Sequence, residues 1–208
     1  MADRNDLWDE LREDIEKSGN NIVVYDANKE IAQGTLERLN MTSNSVIGSI
    51  TYNTSGMVVD NWVRVIASGN DIDRRNLASW YEENEEIKEK GLLIIADDVI
   101  GGIFALNMGS YEGERGDIFY FAPDTLKWEN LGIKYAGFFA WLTESNLEEF
   151  YSNVRWENWE EDVQAIGFDQ ALSVYPLIWT NECNIDTASK KAVPIKEVMY
   201  LYLEQSEL

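Results

Sequence analysis

The stretch from Gly91 to Leu131 constrains the fold more than any other part of this chain. Short runs of β-branched, aromatic and other apolar residues alternate there with Gly, Pro and Asp, which favour turns. The runs are LLIIA at 92–96, IFAL at 103–106, DIFYF at 117–121 and LKW at 126–128. Consecutive short strands separated by turn residues are typical of an antiparallel meander. We therefore predict a mainly antiparallel central sheet around residues 91–131.

Helical patterns flank this meander. Apolar residues recur at helical spacing in 71–90 and 146–166, and the apolar segment 133–142 has helical length with little alternation. Because strands and helices mix rather than strictly alternate, the predicted class is α+β, with helices packed on the sheet. We predict a single α+β domain over residues 1–208, in which residues 1–50 could form an appended subdomain of helices and a strand.

Acidic residues dominate the charge of the chain. The 38 Asp and Glu residues outnumber the 17 Lys and Arg residues, which gives a formal net charge of −21. Such a charge repels nucleic-acid phosphates and anionic lipids, so we expect neither nucleic acid nor membrane as a partner. It attracts a basic protein partner and speeds the encounter. The alternative is that the charge only keeps the protein in solution.

The residue types that most often carry catalysis are scarce. The chain has no histidine, one cysteine (Cys183) and no Gly-rich loop ending in Lys, which removes histidine-based triads, Cys-based metal sites and phosphate loops. We therefore predict no catalytic residue, no metal and no cofactor. The N-terminal segment 1–14 is charged, and no apolar run approaches the roughly 20 residues of a membrane span. These features predict a cytoplasmic protein.

Asp97 and Asp98 follow a predicted strand and could in principle hold Mg²⁺ or Ca²⁺. Adjacent strand residues point to opposite faces, however, so the pair cannot readily share one ion. We interpret both as turn-capping aspartates. Gly101 and Gly102 are interpreted as a bulge or a tight hairpin junction.

The segment WENWEED at 156–162 is the most distinctive surface pattern. In a helix, Trp156 and Trp159 would share one face among acidic residues. One interpretation is that both rings belong to the core of an amphipathic helix. The other is an aromatic hot spot ringed by acids, suited to a partner bearing Arg and Lys. On the second interpretation the partner-binding residues are Trp156, Glu157, Glu160, Glu161 and Asp162. We predict that Trp159 is buried and that Trp156 is the more exposed of the two.

Four segments resemble an uncharacterised bacterial family, known as a domain of unknown function. They are SGMVVDNWVRVIASG at 55–69, ADDVIGGIFALNMG at 96–109, GDIFYFAPDTLKWENLGIKYAGFFAWL at 116–142 and YSNVRWENWEEDV at 151–163. The order of strand, Gly-Gly, Phe, Gly-Asp, Tyr-Phe and a Phe-x-x-Trp-Leu helix also resembles the SUKH superfamily. That superfamily holds bacterial toxin-immunity proteins and relatives of fungal cell-wall-synthesis regulators.

The SUKH resemblance implies an α+β sandwich and a binding activity without shared catalytic residues. It implies that Asp117 starts a strand or turn and that Trp141 lies in the core. Together with the charge and segment 156–162, it predicts a non-catalytic, SUKH-like immunity protein whose partner is a basic protein such as a toxin domain. Two alternatives stay open. One is a carboxylate-based enzyme or binder acting on a neutral carbohydrate-like ligand, and the other is a housekeeping protein of unknown role.

Overall fold

The structure, a computed structural model, describes residues 4–70, 72 and 74–206, with the side chains of 4–6 left aside. The strands are β1 (Ile22–Asp26), β2 (Thr54–Val59), β3 (Val63–Ile66), β4 (Leu92–Asp98), β5 (Ile103–Asn107), β6 (Asp117–Ala122), β7 (Lys127–Lys134), β8 (Gln170–Tyr175) and β9 (Ser189–Pro194). The helices are α1 (Arg4–Lys17), α2 (Lys29–Arg38), α3 (Val46–Asn53), α4 (Leu77–Glu83), α5 (Glu85–Glu89), α6 (Tyr135–Glu144), α7 (Leu147–Tyr151), α8 (Trp159–Val163) and α9 (Ile195–Gln205). This composition confirms the predicted α+β class.

Within the described residues, strands β1 to β7 form one antiparallel sheet in chain order, and β8 pairs with β9 in a separate hairpin. The predicted meander is confirmed as strands β4 to β7. It extends to β7 through Lys134, and β1 to β3 continue the same sheet on its other side. Asp117 begins β6, in agreement with the strand or turn start that the SUKH resemblance implied for this residue.

The core lies on both faces of the central strands. Every residue of β4 and of β6 is buried. Helices α1, α3 and α6 contact one another, α4 and α5 contact β4, and α9 contacts β8 and β9. The first 50 residues contribute the edge strand β1 and the buried side chains Leu11 and Ile47 to the same core. Trp141 is partly buried, with its ring against Phe104 and Phe138.

Side-chain caps start several helices. Asn28 accepts hydrogen bonds from two N–H groups of α2, Ser45 from one in α3 and Asn146 from one in α7. These residues satisfy donors that a helix leaves unpaired at its first turn. No helix in the described part of the chain is long and apolar enough to cross a membrane.

Three predicted helices differ from those observed. Segment 71–90, of which 71 and 73 lie outside the described residues, contains the two short helices α4 and α5 instead of one, with Asn84 at the break. The helix predicted at 133–142 begins two residues later, because β7 continues through Lys134. Segment 146–166 holds α7 and α8 with a turn between them. Asn158 there adopts a left-handed conformation, with φ of 64°, which a helix interior does not allow.

Candidate functional site

A surface pocket of about 340 Å³ lies at the end of the sheet that carries the β2–β3 turn. The loop before β1, that turn, the start of α7 and the segment from 155 to 164 come together around it. The pocket is lined by Gly19, Asn20, Asn21, Asp60, Asn61, Asn146, Glu148, Arg155, Trp159, Glu160 and Gln164. Its wall therefore combines carboxylates, amides, one guanidinium and one indole.

An aromatic cluster forms the floor beneath this pocket. The Trp62 ring is fully buried, and its centroid lies 5.3 Å from that of Tyr151, 5.8 Å from Trp156 and 5.1 Å from Trp159. Ring pairs at these separations add stability beyond their buried area. The cluster holds the turn between α7 and α8 against the sheet.

The prediction that Trp156 is the more exposed indole is wrong. Trp156 is 5% exposed, whereas Trp159 is only partly buried and lines the pocket. The Trp156 indole N–H donates to Asp162 Oδ2 at 2.7 Å, and Lys190 Nζ lies 4.3 Å from its ring centroid. The helical face on which the prediction rested does not exist, because Trp156 lies in the irregular segment between α7 and α8.

The acidic members of the predicted site lie on the surface. Glu157, Glu160, Glu161 and Asp162 are all exposed, and Glu160 lines the pocket beside Trp159. Asp162 is engaged by the Trp156 indole. The three glutamates form no ion pair among the described residues. Their negative charge is therefore directed to solvent.

Arg155 is a member of this site that the sequence analysis did not single out. Its guanidinium carbon lies 3.9 Å from the Trp159 ring centroid and 4.9 Å from that of Trp62. Its Nε and Nη2 atoms are buried and have no hydrogen-bond partner among the described residues. Burial lowers the Arg155 pKa from its ordinary value. One sequence feature could have identified this residue: Arg155 is the only Lys or Arg between Lys134 and Lys190.

A second charged cluster is buried inside the protein. Asp97 accepts hydrogen bonds from Arg64 Nε at 2.7 Å and from Arg75 Nη1. Arg64 Nη1 also donates to the Gln170 carbonyl at 2.8 Å, and Arg75 Nε donates to Asp169 Oδ1 at 2.7 Å. Asp97 is thus a buried ion-pair residue instead of the predicted turn cap. The cluster ties the start of β8 to the sheet.

Asp98 fulfils the predicted capping role but is fully buried. Its Oδ1 accepts from the N–H groups of Ile100 and Gly102, and its Oδ2 accepts from the Tyr120 hydroxyl at 2.7 Å. Burial outweighs these hydrogen bonds and raises the Asp98 pKa. Asp97 and Asp98 have separate partners, as expected for neighbouring strand residues. Gly101 and Gly102 form the predicted hairpin junction.

Two bacterial proteins are similar to this chain over most of its length. The uncharacterised protein YbfG of Escherichia coli (strain K12) is 33% identical over 201 residues, which cover 96% of this chain and 92% of YbfG. An uncharacterised protein of Haemophilus influenzae is 32% identical over 195 residues, covering 91% of this chain and 85% of that protein. The family described as protein of unknown function DUF2625 matches residues 1–198. These matches confirm the resemblance to an uncharacterised bacterial family: the chain belongs to the DUF2625 family.

Proposed function

We propose that this protein is a non-catalytic binding protein of SUKH-like immunity type, which recognises a basic protein partner. The observation that carries the proposal is the exposed, unpaired group Glu157, Glu160 and Glu161 beside a pocket containing Trp159. We call Glu157, Glu160 and Glu161 the acidic ridge. The partly buried Trp159, not Trp156, supplies the aromatic part of this surface.

Charge supports this choice of partner. With a net charge of −21, the chain attracts basic surfaces over distances beyond direct contact. Nuclease toxins are commonly basic because they must bind phosphate, so an acidic protein is a suitable neutraliser. The ridge would then set the orientation in which the partner docks.

The test compares two triple variants that remove the same charge. E157Q/E160Q/E161Q neutralises the ridge, and E85Q/E86Q/E89Q neutralises three exposed glutamates of α5. Helix α5 leads into Leu92, whereas Asp98 at the other end of β4 pairs with Val63 beside the pocket. Seven strand residues place the two groups roughly 20 Å apart.

The partner is captured from the native host at low salt, identified, purified and titrated. We expect the ridge variant to slow association about tenfold, with much less effect from the α5 variant, and high salt to slow the wild type in the same way. Failure to recover a basic protein in stoichiometric amount would contradict the proposal. If both variants slowed association equally, the effect would come from net charge and not from the ridge, which would also contradict the proposal.

A neutral carbohydrate-like ligand is the second candidate. The pocket holds Asp60, Glu148 and Glu160 beside the partly buried indole of Trp159, a combination that suits ring contact with a sugar and hydrogen bonding to its hydroxyls. Titration with a panel of neutral oligosaccharides, followed by tryptophan fluorescence, tests it. Saturable quenching that Trp159→Ala abolishes supports this candidate, and its absence removes it.

A further inference from the structure

The pocket beside the acidic ridge carries more negative than positive charge. Asp60, Glu148 and Glu160 contribute three carboxylates against the single guanidinium of Arg155, a local balance of about −2. Asp60 accepts a hydrogen bond from the Asn21 N–H at 2.8 Å, and none of the three carboxylates forms an ion pair among the described residues. The charge of this pocket therefore favours a ligand that brings a cation.

The guanidinium of Arg155 favours a second feature in the same ligand, a hydrogen-bond acceptor. It has carboxylates nearby, yet its side chain donates no hydrogen bond to any described residue. The rings of Trp62, Tyr151 and Trp159 hold the guanidinium in place. Because Nε and Nη2 are enclosed, a ligand in the pocket can reach only the third guanidinium nitrogen, Nη1, which donates and does not accept, so its partner must be an oxygen acceptor. The ligand must bring an acceptor together with its cation.

We propose that the pocket receives a Lys or Arg residue of the protein partner, whose side-chain cation meets Glu148 and Glu160 while a main-chain carbonyl of the same residue accepts from Arg155. This inference rests on the proposed function and specifies how the partner docks. A free anion would face three carboxylates, and a neutral sugar would leave the charge balance uncompensated. A basic residue in a peptide chain carries both groups a few ångströms apart. A volume of about 340 Å³ is sufficient for one such residue.

Three small probes separate the contribution of the cation from that of the carbonyl acceptor. Nα-acetyl-arginine amide carries the cation and amide carbonyls, propylguanidinium carries only the cation, and Nα-acetyl-norleucine amide carries only the carbonyls. Binding is followed by the indole ¹⁵N–¹H NMR signal of Trp159. We expect the arginine amide to bind in the millimolar range and each of the others at least about tenfold more weakly.

Two variants assign the contacts. Glu160→Gln should weaken both cationic probes severalfold. Arg155→Gln should weaken the arginine amide about tenfold while leaving propylguanidinium unchanged or tighter, because a like charge is gone. A merely structural role for Arg155 would weaken both probes alike. Arg12→Gln, an exposed arginine on α1, is the matched control and should change neither. If Arg155→Gln does not fold, Arg155→Lys carries the same expectation with a smaller loss.

The proposal is overturned if no probe shifts the Trp159 signal, or if the norleucine amide binds as tightly as the arginine amide. These results are independent of partner capture. One outcome is that a basic partner binds through the ridge while no probe binds in the pocket. This outcome would contradict the inference and still support the proposed function. Selective probe binding with no basic partner recovered would contradict the proposed function and leave a pocket that binds a basic residue without an established source.

Discussion

Asp98 is a carboxylate placed where water does not reach. Its oxygens accept three hydrogen bonds, two from the turn that joins β4 to β5 and one from Tyr120. The Tyr151 hydroxyl is also buried near the Asp98 carboxylate. Among the described residues no cation pairs with the Asp98 carboxylate directly, so burial prevails and its pKa rises.

This environment predicts a pH-dependent stability for the wild type. The pKa of Asp98 is higher in the folded state than in the unfolded chain. Its contribution to the free energy of unfolding is therefore fully present below the ordinary pKa range of Asp and is lost as pH rises through the raised folded-state pKa. Asp98→Asn keeps an oxygen for the two N–H groups and carries no charge. The free energy of unfolding of this variant, relative to that of the wild type, should therefore increase as pH rises. Asp98→Ala leaves three donors unpaired and should cost about 3 kcal/mol or more. Urea unfolding between pH 4 and 8 measures both, and an Asp98→Asn variant as unstable as Asp98→Ala at pH 7 would refute this account.

Asp97 poses the opposite case, a buried carboxylate between two guanidinium groups. Asp97→Asn should cost about 3–5 kcal/mol, because Arg64 and Arg75 would remain buried with their shared anion gone. Glu82→Gln removes one anion from the exposed pair with Arg38 and should cost far less, because solvent screens an exposed pair. Chemical denaturation of the two variants gives the comparison. Similar costs for both would mean that the buried cluster does not hold β8 to the sheet.

At the scale of an element, the β4–β5 hairpin depends on a residue without a side chain. A Cβ at position 102 would lie 2.2 Å from Asp98 Oδ2 and 2.3 Å from the Tyr120 hydroxyl oxygen. Both atoms are buried and hydrogen-bonded to each other, so neither can move freely. The junction therefore requires glycine because of a close approach.

Gly102→Ala should destabilise the protein by about 1–3 kcal/mol through this overlap. Gly34→Ala is the matched control, since it lies within α2 and a Cβ there meets nothing within 4 Å. It should stabilise by about 0.5–1 kcal/mol, because alanine favours the helix. Thermal unfolding of the two variants decides the matter, and opposite signs are the expected result. A neutral Gly102→Ala would show that the hairpin can shift to accept a methyl group.

At the scale of the whole molecule, the net charge of −21 acts on stability as well as on binding. Screening by salt weakens repulsion among the carboxylates. Raising NaCl from low concentration to about 0.3 M should therefore stabilise the fold by about 1 kcal/mol, a Tm increase of about 2–4 °C. The same salt should weaken binding to a basic partner. The E85Q/E86Q/E89Q variant, three charges less negative, should show a smaller increase, and a Tm that falls with salt in either protein would contradict this argument.

The α+β class, the meander and the β4–β5 hairpin junction could be predicted from the sequence, because these features depend on residues close along the chain. Alternating apolar runs with Gly, Pro and Asp between them define strands and turns locally, as Gly101 and Gly102 show. Four contiguous segments likewise indicated an uncharacterised bacterial family, which the DUF2625 match over residues 1–198 confirmed.

The contacts between polar and aromatic groups could not be predicted from the sequence, because they form when distant segments pack together. Arg64 bonds the Gln170 carbonyl across 106 positions, and no local pattern announces such a partner. Trp156 is buried because it packs on Trp62 and bonds Asp162, whereas the helix that would have exposed it is broken at Asn158. Arg155 acquires its unpaired donors only through the rings that surround it. Each of these outcomes depends on contacts between distant segments, which hydrophobic periodicity does not encode.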